Sequence, residues 1–224
     1  MMKIEYIYHS GFTVDTKNHF LVFDYYKGKI ELKDKPTYVF CSHNHLDHFN
    51  PEIFNWSKDK DDILFILSSD IENVPNVKAN FIDPYEELKI NNLHIKTFGS
   101  TDRGVSYLIT VDGNSIFFAG DLNWWHWKND TEEEKRQEER AFKTEISKIK
   151  GNKIDLAFFP VDPRLEEYYY LGGQYFINEI QPKVFIPMHF GDKFEITKEF
   201  INKAKDSSTS IVEINTTNQI IPLF

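Results

Sequence analysis

The stretch SHNHLDHFN, residues 42–50, places three histidines and one aspartate within six consecutive positions. The whole chain contains only 8 histidines, so this is a marked concentration. It follows TYVFC, residues 37–41, which is rich in β-branched and aromatic residues and predicts a buried strand. Imidazole and carboxylate groups crowded at the end of a strand predict a metal site.

The spacing of the four side chains is compatible with a shared ion. His43 and His45, two positions apart at a strand end, can point to the same side. Asp47 and His48 follow where residues 47–56 can begin a helix, so all four donors can converge from about one turn of chain. Such donors suit Zn²⁺, Mn²⁺ or Fe²⁺, and the stretch has no thiolate that would favour a purely structural zinc site. The alternative, a loop of solvated polar residues, leaves this density of ligands unexplained.

The composition is that of a folded, acidic protein. The chain has 224 residues, 41% of them hydrophobic, with 20 Phe and 11 Tyr, which is enough for one sizeable core. We therefore expect a single domain over residues 1–224. The net charge is −9 and basic residues form only short mixed runs such as residues 27–35, which argues against binding of nucleic acid through its phosphates. We expect a small-molecule substrate as the partner, and a homo-oligomer is compatible with the sequence.

The sequence bears on the location of the protein through its cysteines, its first residues and its apolar runs. Cys41 is the sole cysteine, so no internal disulfide can form. Residues 1–10 have neither a basic segment nor an apolar run long enough for a signal peptide. No stretch approaches the roughly 20 apolar residues of a membrane span. We expect a cytoplasmic protein that does not bind membranes.

The order of the elements predicts an α/β fold. Up to residue 123 the chain reads mainly as strands, and Asp112-Gly113 predicts a tight hairpin between two of them. Residues 129–150 are densely charged, with acidic residues near the start, which predicts a helix that is either largely solvated or a lid over the site. After Gly151 strands and helices alternate. We expect two packed sheets with helices outside them.

These motifs together resemble the metallo-β-lactamase superfamily. The HxHxDH motif of that family is matched by His43, His45, Asp47 and His48. Further along, FFAGDLN at residues 117–123 is similar to the family's strand that ends in Gly-Asp. FIPMHFGD at residues 185–192 is similar to its last histidine motif. The resemblance implies a four-layer αββα sandwich with the site along one edge of the sheets.

The resemblance also implies the roles of the matched residues. Asp121 would bridge two metal ions, the first held by His43 and His45. The second ion would be held by three residues, namely Asp47, His48 and His189. Zn²⁺ is the expected cofactor, as one or two ions, with Mn²⁺ or Fe²⁺ as alternatives.

Two further features bear on the branch and on the completeness of the site. IYHSGFTV, residues 7–14, resembles the opening of the ascorbate-phosphate lactonase-like branch of the superfamily. That branch usually places a metal-binding histidine where this chain has Gly99. We therefore expect the first ion to bind more weakly, unless Asp102, His126 or His9 supplies the absent donor.

Other side chains near the expected site have two interpretations each. His126, among the tryptophans of residues 124–127, is either a ligand or proton donor in a pocket, or part of an aromatic cluster that packs a helix. His9 is either a catalytic group or a core histidine. Arg164 can grip a carboxylate or phosphate, or form a surface ion pair. Asp24 can orient a metal ligand.

The function expected from these features is metal-dependent hydrolysis. A metal-activated hydroxide, held with its ions by Asp47 and Asp121, would attack a small lactone, ester or phosphoester. His9 or His126 would protonate the leaving group. The alternative is a non-enzymatic, metal-stabilised protein that binds or senses a metabolite, since Gly99 leaves the first site incomplete.

Overall fold

Two seven-stranded sheets face each other in the computed structural model, which describes residues 2–204 and 207–223. The first sheet contains β1 (Met2–Tyr8), β2 (Gly11–Asp15), β3 (Phe20–Phe23), β4 (Thr37–Cys41), β5 (Ile63–Ser68), β6 (Ala79–Ile82) and β14 (Ile220–Leu223). The second contains β7 (Glu87–Ile90), β8 (Leu93–Phe98), β9 (Ser106–Val111), β10 (Asn114–Phe118), β11 (Leu156–Pro160), β12 (Val184–Met188) and β13 (Ser210–Ile211). The strand orders are β14-β1-β2-β3-β4-β5-β6 and β13-β12-β11-β10-β9-β8-β7.

The helices lie outside the sheets. They are the α-helices α1 (Glu132–Ile149), α2 (Leu171–Ile180) and α3 (Glu195–Lys203) and the 3₁₀ helices Pro51–Lys58 and Pro163–Tyr168. Thr131 begins α1 with a reciprocal capping box to Glu134, which satisfies two backbone N–H groups at the start of the charged segment. Within the described part of the chain, no helix combines the length and the apolar character that crossing a membrane requires.

Apolar side chains that alternate along the strands pack against neighbours on both faces of the second sheet. On β10, Phe117 faces the helices, with its ring 5.2 Å from that of Phe176 in α2. The next residue, Phe118, faces the first sheet, with its ring 4.8 Å from that of Phe23. Successive side chains of a strand point to opposite faces, so each inner strand serves two interfaces. On the far side of the first sheet, Ile53 of the 3₁₀ helix completes a second apolar cluster.

This architecture confirms the expected αββα sandwich, with one local difference. The helix expected after His48 is a 3₁₀ helix that begins only at Pro51, where Asn50 caps it. The tight hairpin is confirmed, since Val111 pairs with Asn114 across Asp112 and Gly113.

Parallel pairing brings several strand ends to one edge of the sandwich. β3, β4 and β5 run parallel in the first sheet, and β10, β11 and β12 run parallel in the second. The carboxyl ends of parallel strands lie at the same edge, which is where open α/β sheets bind ligands.

Candidate metal centre

Polar side chains follow directly after the parallel strands at this edge. Asp24 follows β3 and His43 follows β4 by two residues, while Asp121, Asp162 and His189 follow β10, β11 and β12. Because the two sheets face each other, these short segments from distant parts of the chain form one cluster.

Four buried donors form the middle of the cluster. The Nε2 atoms of His48 and His189 lie 3.1 and 3.2 Å from Oδ1 of Asp121 and 3.1 Å from each other, although the two residues are 141 positions apart. The Nε2 atom of His43 lies 3.3 Å from Oδ2 of Asp121. The two carboxylate oxygens of Asp121 therefore face different imidazoles, which is the arrangement that a bridging ligand needs.

Two aspartates fix the orientation of the imidazoles of His48 and His189. The Nδ1 atom of His48 lies 2.6 Å from Oδ2 of Asp24, and the Nδ1 atom of His189 lies 2.9 Å from Oδ2 of Asp162. A carboxylate can only accept here, so the proton of each ring stays on Nδ1. Each Nε2 atom is therefore directed into the cluster, and its lone pair is available to an ion once any proton on Nε2 is released, as metal-binding histidines require.

Asp24 also supports His43, through Ser42. The buried Asp24 carboxylate accepts hydrogen bonds from the Ser42 backbone N–H at 2.7 Å and from the Ser42 hydroxyl at 2.6 Å. The Oγ atom of Ser42 in turn lies 2.9 Å from Nδ1 of His43. A single carboxylate thus positions two histidines, one directly and one through a serine.

The donor set fits a divalent transition metal. The Nε2 atom of His43 and the Oδ1 atom of Asp121 are buried and, despite their close neighbours, form no properly directed hydrogen bond among the described residues. Buried polar atoms without partners are costly, and an ion would satisfy both. Ligand atoms at about 2.0–2.2 Å from a tetrahedral ion are roughly 3.3–3.6 Å apart. The separations of 3.1–3.3 Å around Asp121 are close to that spacing.

The electrostatics of the cluster favour a cation at its middle. Burial opposes a charge on His48, but the carboxylates of Asp121 and Asp24 outweigh it and raise the pKa of His48 to about 10. The pKa of His189 is also raised, because Asp121 and Asp162 outweigh burial there too. Without an ion the His48 imidazole carries a second proton near pH 7, so binding of an ion at this position has to release it.

The structure brings all six expected metal ligands together. The donor atoms form two groups that correspond to the two expected sites, and within each group all the atoms lie within 4.8 Å of one another. The first group contains His43, His45 and Asp121. The second contains Asp47, His48 and His189, and also His9. His9 and His189 both have left-handed backbones, with φ of 60° and 69°, and the His189 N–H donates to the His9 carbonyl at 3.0 Å. The role of the six expected residues as metal ligands stays a prediction.

Comparison with known families agrees with this geometry. The model of the Beta-lactamase superfamily domain matches residues 3–189 of the chain. The chain belongs to the metallo-β-lactamase superfamily. It is 25% identical to a UPF0173 metal-dependent hydrolase of Nanoarchaeum equitans, over 98% of this chain and 99% of that protein.

Solved structures show the same superfamily fold. Igni18, a metallo hydrolase from Ignicoccus hospitalis, has a TM-score of 0.71 at 16% identity, over 98% of this chain and 97% of that one. The metallo-β-lactamase fold protein YhfI from Bacillus subtilis has a TM-score of 0.68 at 14% identity, over 98% of both chains. These similarities confirm the fold that the sequence predicted, and the match to the family model confirms the superfamily.

Gly99 stands where the lactonase-like branch that residues 7–14 resemble usually has a metal-binding histidine. Its N–H donates to Oε1 of Glu145 in α1 at 2.7 Å. A Cβ atom added at Gly99 would lie 2.8 Å from the Tyr85 hydroxyl and 3.1 Å from Cδ of Glu145. A side chain at this position would therefore start against α1 and not against the donors of the first site. The space beside Gly99 is filled by a buried carboxylate and its partner tyrosine.

The three suggested substitutes for the absent histidine have different positions. Asp102 is the one beside the first site, with its Oδ2 atom 3.9 Å from Nδ1 of His45. His9 lies with the second group, with Nε2 3.4 Å from Oδ2 of Asp47. His126 belongs to neither group of donors among the described residues.

The aromatic segment after Asp121 is divided between two environments. Trp125 and Trp127 stack on each other, with ring centroids 5.8 Å apart and an interplanar angle of 6°, and both line a cavity beside the metal centre. Trp124 and His126 point elsewhere: Trp124 packs on α1 and His126 packs on Tyr168, 4.3 Å between ring centroids. The expectation that His126 acts in the pocket is therefore not supported. Alternate side chains of this segment face opposite sides, and His126 falls on the helical side.

The cavity has a volume of about 370 Å³ and opens onto the metal centre. Arg164 lines it, but its Nε atom is already bonded to both oxygens of Asp162, at 3.0 and 2.8 Å. Arg164 thus forms an ion pair, but with a buried carboxylate at the site and not on the surface, and its role stays a prediction. Glu138 of α1 also lines the cavity, and sequence reasoning missed it within the charged segment. Its position four residues before the buried Phe142 is the signal that could have revealed it.

Proposed function

We propose that this chain is a metal-dependent hydrolase that acts on a small lactone, ester or phosphoester. The observation that carries this proposal is the arrangement of His43, His48 and His189 around Asp121, with each Nε2 atom directed inward. The similarity to the Nanoarchaeum equitans protein, which is described as a metal-dependent hydrolase, supports it. The resemblance of residues 7–14 to the ascorbate-phosphate lactonase-like branch favours a lactone or a phosphoester.

The metal would be held by the six residues expected from the sequence, with Zn²⁺ as our preferred ion and Mn²⁺ or Fe²⁺ as alternatives. A divalent ion of this kind supplies Lewis-acid chemistry, because it lowers the pKa of a water molecule toward neutrality and polarises the bond under attack. The residues of the chain hold that chemistry in place. Asp24 and Asp162 keep the imidazoles in the required tautomer, and the cavity beside them admits a small molecule.

His9 is the best placed candidate for a proton-handling group. Burial lowers the pKa of His9 to about 4, so its ring is neutral near pH 7. Its Nε2 atom is buried without a hydrogen bond and lies 3.4 Å from the Asp47 carboxylate. A neutral ring in this position can donate an N–H to Asp47 or to a leaving group, but it cannot do both at once.

The test is turnover of model substrates by the protein loaded with Zn²⁺, Mn²⁺ or Fe²⁺. Suitable substrates are γ-butyrolactone, p-nitrophenyl acetate and bis(p-nitrophenyl) phosphate. We expect hydrolysis of at least one, lost with a chelator and in Asp121→Asn. Asp61→Asn, an exposed position just before β5 at the opposite edge of the sheet, serves as the matched control and should remain active. Metal-loaded protein that hydrolyses none of the three would contradict the proposal.

A second candidate is a metal-stabilised protein that binds or senses a metabolite. The observation that favours it is Glu145, which fills the space beside Gly99 and leaves the first site without a third imidazole. Binding of a metabolite by the metal-loaded protein, without any turnover, would support this function over hydrolysis.

A further inference from the structure

Helix α1 carries six glutamates, and one of them differs from the rest. Five have partners: Glu132 with Lys135, Glu133 with Arg136 and Arg140, Glu134 with Thr131, Glu139 with Lys143, and Glu145 with Lys148. Glu138 has none within the described residues, and its Oε2 atom is buried without a hydrogen bond. A buried carboxylate oxygen without a donor is costly, so a donor from outside the chain would lower the free energy of this state.

Glu138 is directed to the cavity by its place on the helix. Phe142 and Glu145, four and seven residues later, are buried against the rest of the protein. Residues at this spacing share one face of a helix. One turn before Phe142 the same face extends past the apolar core, and there Glu138 lines the cavity beside the metal centre.

The unpaired charge in this part of the cavity is negative. Arg164 is neutralised by its two bonds to Asp162, whereas Asp102 lines the cavity half-exposed. Burial, and then the negative charges of Asp130 and Asp102, raise the pKa of Glu138. A positive group on a bound molecule would relieve this repulsion.

The stacked pair of Trp125 and Trp127 supplies the other half of a binding site. Their parallel rings form an aromatic wall in the same cavity. The guanidinium of Arg164 already lies 5.7 Å from the centroid of the Trp127 ring, so the wall offers a bound molecule an apolar contact and leaves its positive group to the carboxylates.

We propose that Glu138, with Asp102 near it, binds a protonated amino group of the substrate, whose apolar part lies against Trp125 and Trp127. This inference rests on the proposed function, since it concerns the same cavity, and it narrows the substrate to an amine-bearing ester or lactone. Glu138 is a specificity-determining residue in this arrangement, because it binds a part of the substrate that does not react.

Binding can be measured without turnover, by calorimetric titration of the zinc-loaded full chain. The probes are phenethylamine, which is protonated at pH 7, and 2-phenylethanol, which has the same ring and chain but no charge. We expect the amine to bind about tenfold more tightly, as for a charge-assisted hydrogen bond. In Glu138→Gln this preference should fall to within about twofold, while Glu139→Gln, whose glutamate pairs with Lys143 on the same helix, should retain it.

Several outcomes would overturn the inference: no binding of the amine, equal binding of both probes, or a preference that survives in Glu138→Gln. If Glu138→Gln does not fold, salt provides the test in the wild type, because raised ionic strength should weaken binding of the amine and leave that of the alcohol unchanged.

Hydrolysis is followed separately with homoserine lactone and γ-butyrolactone. Amine preference without any hydrolysis would refute the proposed function alone, and metal-dependent hydrolysis without amine preference would refute this inference alone.

Discussion

Asp24→Asn is the substitution that most directly tests how the metal centre is built. The Asp24 carboxylate is fully buried and accepts three hydrogen bonds, from the Ser42 N–H, the Ser42 hydroxyl and Nδ1 of His48. An asparagine has nearly the same shape but only one acceptor oxygen. If that oxygen keeps the Ser42 N–H, the amide NH₂ faces His48 and forces its proton onto Nε2. The proton then occupies the position that a metal ion needs.

The size of the effect follows from the number of imidazoles that depend on Asp24. Loss of a group that orients one ligand typically costs 10–100-fold in metal affinity, which is about 1.4–2.7 kcal/mol. Asp24 orients His48 directly and His43 through Ser42, so we expect a loss of about 100-fold. Asp162→Asn should cost nearer tenfold, because Asp162 contacts His189 alone among the expected ligands.

The assay is competition for Zn²⁺ with a chromophoric chelator, with circular dichroism to show that each variant is folded. Asp61→Asn is the control and should bind zinc as the wild type does. A folded Asp24→Asn protein whose zinc affinity lies within threefold of the wild type would refute the reasoning. If Asp24→Asn does not fold, the result with Asp162→Asn decides.

Three further predictions concern the stability of the protein. Gly99→His should lower the free energy of unfolding by about 1–3 kcal/mol, because the new side chain displaces the contact with Glu145. The variant should not gain a tightly bound ion. A second tight ion, measured by elemental analysis, would contradict this. Hydrogen bonds from Thr16 and Asn18 outweigh burial and hold the pKa of Asp112 below its usual range, so its contribution to stability is present above about pH 4 and is lost as the pH falls further. Denaturant titrations should show a flatter acid dependence in Asp112→Asn. Chelation should lower the melting temperature, with about 2.7 kcal/mol lost relative to protein at an ion concentration of 100 times Kd.

The fold was predictable because its signals are local. Alternation along strands such as β10, the Asp112-Gly113 hairpin and the dense charges of the helix can each be read from a few neighbouring residues. The six expected ligands were also found in the sequence, by their resemblance to the superfamily motif. The roles of those ligands, the cytoplasmic location, the single domain and the partners stay predictions.

Side-chain direction was the part that the sequence could not give. His126 and Trp125 are neighbours, and only the packing of α1 and Tyr168 determines which of them faces the cavity. The surroundings of Gly99 depend on Glu145, 46 positions later in the chain. In the sequence Glu138 looks like any other acidic residue of a solvated helix, and only the structure shows that its Oε2 atom is buried without a hydrogen bond. Each of these depends on contacts between distant segments.

The distance in sequence between His48 and His189, 141 positions, has a consequence for the order of events during synthesis. The chain emerges from the ribosome from its amino end, so residues 43–48 are free long before His189 exists. At that stage they can offer an ion only a loose set of donors without a shaped site. Both sheets must form and dock before the donors meet, so an ion is acquired late, by a nearly finished protein. We expect an unfinished chain to lose its zinc readily to competing ligands, and the completed chain to keep it.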